Sequence, residues 1–174
     1  MKTLLVERDI DWLPKPNEAH CVQADVLPPS HLITSAFGLL FDGDRVLMSR
    51  LVRRGWDIPG GHIEPGETPL ETMQREVYEE TGVRPGTVAL LGYQKILIHG
   101  AKPPGYRYPY PVSYQVVFWG QVAAREPFAP TGEVTERGLF LPAEARQILH
   151  GEAAILALYE AALAAATGEG KCAR

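Results

Sequence analysis

Glu76, Glu79 and Glu80 stand at i, i+3 and i+4, so on a helix all three fall on one face. Stacked carboxylates repel, and a helix gains nothing from them unless a cation sits between. Hard divalent ions take oxygen ligands, which makes the cluster a natural site for Mg²⁺, with Mn²⁺ as a substitute ion. Taken alone, an acidic helix face is more often solvated surface. The surroundings argue otherwise. Arg75 lies four residues after Glu71 and four before Glu79, and a guanidinium can fix a neighbouring carboxylate by a bidentate contact. Glu67 precedes the helix, where a bent loop can return it to the same place. Gly60 and Gly61 let backbone approach a metal or a phosphate with no Cβ in the way, and Gly66 frees the loop to fold back. Glu64 and Glu71 have simpler explanations, at a helix start and on the surface.

The elements that must position these groups are legible around them. Thr68-Pro69-Leu70-Glu71 supplies an N-cap hydroxyl, a proline at the first helical position and a glutamate to close a capping box. The helix is expected to run to about Thr81, with Gly82 as its left-handed terminator. Upstream, the apolar stretch Ile33–Phe41, the turn Asp42-Gly43-Asp44 and the run from Arg45 to Met48 read as a β-hairpin. Downstream, 88–98 and 114–122 read as strands, with a Gly-, Pro- and Tyr-rich loop from 99 to 112 between them. Leu139-Phe140-Leu141 is a further short strand. Pro142 opens a helix that breaks at Gly151, and 153–165 is helical by propensity. Residues 1–30 read as an N-terminal extension with one short edge strand, and 168–174 as a frayed tail. Strands on both sides of a helix, then helices at the end, imply a mixed sheet covered by helices.

Length and composition bound the rest. A chain of 174 residues, 45% hydrophobic and 22% charged, suits one soluble domain with a real core. The formal net charge of −4 and the lack of any Lys/Arg block argue against gripping a long nucleic-acid polymer. Cys21 and Cys172 form no CxxC pair and read as free thiols of a reducing compartment. The first apolar run is broken at Glu7, too early for a signal peptide, and no stretch suits a membrane span. A cytoplasmic protein acting on a small nucleotide-like molecule is expected.

The segment from Gly61 to Val83, GHIEPGETPLETMQREVYEETGV, resembles the Nudix box, Gly-x5-Glu-x7-Arg-Glu-U-x-Glu-Glu-x-Gly-U with U aliphatic. Gly61, Glu67, Arg75, Glu76, Val77, Glu79, Glu80, Gly82 and Val83 fill every specified position. The preceding Trp-Asp-Ile-Pro-Gly-Gly looks like the usual lead-in. The resemblance, to the Nudix hydrolase superfamily and its MutT-like members, implies an α/β fold: an α/β/α sandwich with a mixed sheet, here over residues 31–167. It implies that Glu76, Glu79, Glu80 and the Gly61 carbonyl hold the metal, with Glu67 in support and Arg75 keeping the cluster in place. The reaction would be attack of a metal-activated water on a diphosphate phosphorus.

The general base implied by the resemblance is Glu133, in the stretch Thr131–Arg137, or else Glu79 or Glu80. Arg50 and Arg54, with Arg53, are candidate phosphate contacts, although a solvated loop is the simpler account. Tyr108 and Tyr110, with Tyr106 and Tyr114, would stack a base or pack an interface. His62 and His99 are read as surface or packed residues rather than catalysts. The substrate implied is a nucleoside diphosphate linked to another moiety: a nucleoside triphosphate or oxidised dGTP first, a nucleotide sugar or ADP-ribose second. A binding-only module is the alternative of another class, disfavoured because every box glutamate is present. Isoprenoid diphosphate isomerisation lacks a cysteine near the box. The apolar C-terminal helix would suit a homodimer.

Overall fold

The computed structural model describes residues 1–168. The expectations for Cys172 and for the tail lie outside these residues. Nine strands form a single mixed sheet: β1 (Lys2–Arg8), β2 (Asn17–Gln23), β3 (Ile33–Asp42), β4 (Arg45–Leu51), β5 (Gly55–Asp57), β6 (Gly60–His62), β7 (Val83–Ile98), β8 (Val112–Arg125) and β9 (Val134–Phe140). Helix α1 (Pro69–Thr81) covers one face, and α2 (Pro142–Ile148) and α3 (Ala153–Thr167) cover the other. The order is β1-β2-β7-β8-β3-β4-β5, with β6 added to β3 and β9 to β4. Only β3 and β8 run parallel.

β3 is apolar almost throughout because both its faces are covered. Leu39 and Phe41 face the α2–α3 layer, while Ala36 and Leu40 face α1. On β4, Val46 and Met48 point to α2 and α3, and Leu47 to α1. By the same alternation Ser49 faces α1 and Arg50 the opposite side. The hairpin turn expected at Gly43 is present, with φ +65° there. β3 pairs with β4 only at Phe41 and Asp42, then with β6 at Ser35, Ala36 and Phe37. Between these registers the Gly38 N–H donates to the Pro59 carbonyl at 2.9 Å. The sheet therefore forks along the edge of β3, with β4 and β5 on one prong and β6 on the other.

α1 begins and ends where the residue types require. The Glu71 N–H donates to Thr68 Oγ1 at 3.3 Å, and the Thr68 N–H donates to Glu71 Oε2 at 2.8 Å. Gly82 terminates the helix at φ +64°. Thr72, Met73, Val77 and Thr81 are buried along its inner face. Gly38 of β3 lets the helix lie close: a Cβ there would meet Val77 Cγ2 at 3.0 Å and Met73 Sδ at 3.1 Å. Thr68→Ala is expected to cost about 1 kcal/mol, read as a fall of roughly 2–4 °C in Tm. An unchanged melting temperature would mean that packing alone sets the helix start.

Several elements differ from expectation. Residues 1–30 carry two strands rather than one, and β2 lies inside the sheet, between β1 and β7. An isolated strand has no local signal strong enough to reveal its partner. β7 and β8 are longer than their apolar cores, because a two-stranded ladder also pairs the polar residues at its outer end. β9 begins at Val134 rather than at Leu139, so most of the stretch 131–137 that holds Glu133 is strand.

Candidate active site

Seating α1 on its apolar face places Glu76 and Glu80 at the fork, both half-buried, with Glu79 exposed. β6 passes directly beneath Glu76. A Cβ on Gly61 would lie 2.2 Å from Glu76 Oε1, so only glycine leaves that carboxylate where it is. Glu80 reaches the other prong, where its Oε2 accepts from Ser49 Oγ at 2.7 Å. Burial pushes Glu80 up to about 7, with Glu76 and Asp57 adding negative charge nearby. The Ser49 hydroxyl and the Gly60 N–H oppose that rise. Burial also raises Glu76, against the pull of Arg75.

Arg75 gathers the rest of the cluster. Its Nε and Nη2 donate to the two oxygens of Glu67 at 2.7 and 3.0 Å, the bidentate geometry expected of a guanidinium. Nη1 donates to Glu76 at 2.9 Å and to Glu79 at 3.3 Å, and Nη2 also reaches the His62 carbonyl at 3.2 Å. Thr72 Oγ1 donates to Glu67 Oε2 at 2.6 Å. Arg75 and then Thr72 pull Glu67 down to about 2. Arg75 thus ties the incoming loop, the helix and β6 into one unit.

Among the described residues, no three Asp, Glu, His or Cys side chains converge as a ready metal cage. Glu76 and Glu79 bond to Arg75, and Glu80 bonds to Ser49. The donor set nevertheless fits a hard divalent ion. It consists of carboxylate oxygens beside a glycine backbone whose missing Cβ leaves the approach open.

The shift of Glu80 has a consequence for stability. A carboxylate at about 7 in the fold and near its ordinary value when unfolded binds more protons in the native state between those values. Metal-free protein should therefore lose stability as pH rises from about 4.5 to 7. Melting curves in a chelator across that range should show the decline, and Glu80→Gln should flatten it. Glu67 is shifted downward, so its stabilising contribution is lost only as pH falls through about 2, outside this window.

The remaining sequence candidates are scattered. Glu133 is exposed just before β9, and its carbonyl accepts from the Val52 N–H at 2.9 Å. Arg50 pairs with Glu136 across the β4–β9 ladder. Arg54 stands 3.5 Å from Asp57. The Tyr110 hydroxyl donates back to the Gly100 carbonyl of its own loop. Tyr108 does reach the box: its hydroxyl is 3.0 Å from His62 Nε2, and the rings stack with centroids 5.7 Å apart. Sequence reasoning missed Ser49 and the His62–Tyr108 pair. The alternation of β4, counted from Leu47, points to Ser49; nothing local announces a contact between residues 62 and 108.

A sequence model of the Nudix domain matches residues 31–159. The chain belongs to the Nudix family. A MutT-like protein of Streptomyces ambofaciens is 36% identical over 86 residues, 45% of this chain and 56% of that protein. An RNA pyrophosphohydrolase of Xanthomonas campestris is 47% identical over 55 residues, 31% of this chain and 27% of that protein. The chain spans between 27% and 56% of the length of such curated relatives. Among solved structures, the Bacillus subtilis pyrophosphohydrolase BsRppH superposes with a TM-score of 0.60 at 23% identity, covering 83% of this chain and 92% of that one. A MutT Nudix hydrolase of Burkholderia pseudomallei gives 0.54 at 19% identity, covering 72% and 95%. These two likenesses concern the fold. The Nudix sheet with helices on both faces is the α/β architecture expected above, and no described helix is long and apolar enough to cross a membrane.

Proposed function

We propose that the protein hydrolyses a diphosphate bond in a nucleoside diphosphate linked to a second group, with a nucleoside triphosphate or oxidised dGTP as the first choice. The observation that carries this reading is the closeness of Glu76 to Gly61: a carboxylate held where any side chain at position 61 would displace it. Glu76, Glu79, Glu80 and the Gly61 carbonyl would hold a divalent ion, Mg²⁺ or Mn²⁺. Such an ion, when bound, lowers the pKa of a water and neutralises charge on phosphate oxygens. Arg75 keeps Glu67, Glu76 and Glu79 in register with β6. Glu80, half-buried at the fork and held by Ser49, accepts the proton of the attacking water.

Glu133 is the alternative base. Its backbone meets Val52, three residues beyond Ser49, roughly 10 Å along the strand, so its segment must fold over the fork before it acts. Glu133→Gln is expected to lower turnover by less than about tenfold if Glu80 is the base, against about 10²–10⁴-fold if Glu133 is.

A nucleotide sugar or ADP-ribose is the second class of small substrate. A further reading, favoured by the similarity to RNA pyrophosphohydrolase, puts the diphosphate on an RNA. The net charge of −4 disfavours extended backbone contact but not capture of a single terminus. Product identity separates these cases. Metal-dependent release of pyrophosphate from a free nucleoside triphosphate supports the first choice. Two monophosphates would sink it in favour of a sugar or ADP-ribose substrate, and turnover confined to triphosphorylated RNA would establish the last. No product with any of them would remove the hydrolase reading.

A further inference from the structure

Among the described residues seven polar ones are buried: Asn17, Ser35, Ser49, Thr72, Thr81, Gln94 and Ser113. The side chains of Asn17, Ser49, Thr72 and Thr81 are hydrogen-bonded within the protein. Those of Ser35, Gln94 and Ser113 bond to no described residue, although they are only 2%, 9% and 3% exposed. Their polar atoms are not sealed off. Among the described residues, buried side-chain atoms lacking both solvent and a partner are limited to His20 Nε2 and the Tyr159 hydroxyl.

The three unpartnered residues share one face. Register pairs His62 with Ser35, Ser35 with Gln115, Gln115 with Gln94, and Gln94 with Cys21. Directly paired residues project to the same side of a sheet. The row therefore crosses five strands on the side away from α1, since Tyr93, Tyr114 and Val116 pack in the α1 layer. At its far end the row runs under α3, where Cys21 Sγ lies 3.8 Å from the Ala154 carbonyl. At its near end stands His62, stacked on Tyr108 and adjacent in sequence to Gly61. Ser113 lies one row further along β8, opposite Ile96.

Polar atoms that keep access to solvent and have no partner within the protein are free to bond an incoming group. The row bears amides and hydroxyls and no Lys or Arg, so it matches a neutral group rich in donors and acceptors rather than a phosphate. A glutamine amide presents a donor and an acceptor side by side, the complement of a base edge. The exposed ring of Tyr108, held by His62, offers a surface on which such a ring can stack. Because His62 adjoins Gly61, a nucleotide whose diphosphate sits at the box can reach the row with its base.

We propose that Ser35, Gln115 and Gln94, aligned across three strands beside the His62–Tyr108 stack, read the nucleobase of the substrate through neutral hydrogen bonds. This rests on the nucleotide-directed reading above and identifies what would set its specificity.

The test is binding to the full chain in chelator, by calorimetric titration with AMP, GMP, CMP, UMP and base-free ribose 5-phosphate. One nucleotide should bind at least about tenfold more tightly than ribose 5-phosphate. Gln94→Leu and Gln115→Leu should each cut that preference about tenfold while leaving ribose 5-phosphate unchanged. Ser35→Ala removes a single oxygen, is safe for the fold, and carries the same expectation in direction. The proposal is overturned if no nucleotide outbinds ribose 5-phosphate, if the preference survives the substitutions, or if they weaken both ligands equally. Diphosphate hydrolysis that persists with unchanged base preference in the variants would sink this inference and spare the hydrolase reading. Base preference that depends on the row, without any metal-dependent hydrolysis, would do the reverse.

Discussion

Glu80→Gln is expected to lower turnover by about 10²–10⁴-fold at saturating Mg²⁺, with the folded circular dichroism signal intact. Glutamine keeps an oxygen to accept from Ser49 Oγ, the bond now made at 2.7 Å, so the fork should not collapse. What disappears is a negative charge that burial already disfavours, as its rise to about 7 indicates. Melting in chelator at pH 8 should therefore be unchanged or slightly higher in the variant. Loss of turnover with retained stability separates a chemical role from a structural one. Wild-type turnover at saturating metal would remove Glu80 from both the ion site and proton transfer.

Gly61→Ala should cost about 10²-fold in turnover, an effect of displacement rather than of lost chemistry. The new methyl group would stand 2.2 Å from Glu76 Oε1 and 2.4 Å from Cδ, well inside contact distance. β6 has little freedom to yield, because it pairs with β3 on one side and its His62 carbonyl accepts from Arg75 on the other. Glu76 must swing away, and a misplacement of about 1 Å near a reacting centre is worth about 10² in rate. Measured kcat, metal affinity and Tm check this together. Weakened metal binding with a modest change in Tm is expected. Unchanged metal affinity and rate would show that Glu76 does not serve the ion from its present position.

Much of this site was legible before any coordinates. Glu76, Glu79 and Glu80 share a helix face because helical periodicity is local. Thr68, Pro69, Glu71 and Gly82 mark their helix because caps are local chemistry. The Asp42-Gly43-Asp44 turn marks its hairpin for the same reason. The order of elements around the box implies a mixed sheet with helices on both faces. The i+4 spacing of Arg75 announces its contact with Glu79, whereas Glu71, at i−4, bonds to Thr68 instead, and the bidentate partner Glu67 lies eight residues back.

Tertiary structure alone decided which strands meet. β2 lies between β1 and β7, and β9 adds to β4, pairings that turn on packing between distant segments and leave no mark on either sequence. The fork in β3 brings Ser49 to Glu80 and raises that carboxylate by burying it, so its proton affinity is a property of the assembled layers. The row from His62 through Ser35 and Gln115 to Gln94 draws on residues up to 80 positions apart, whose register is set by several ladders at once. Spacing along the chain determines which groups a helix displays. Desolvation and cross-strand register, which exist only once the sheet has closed over its core, determine what those groups face.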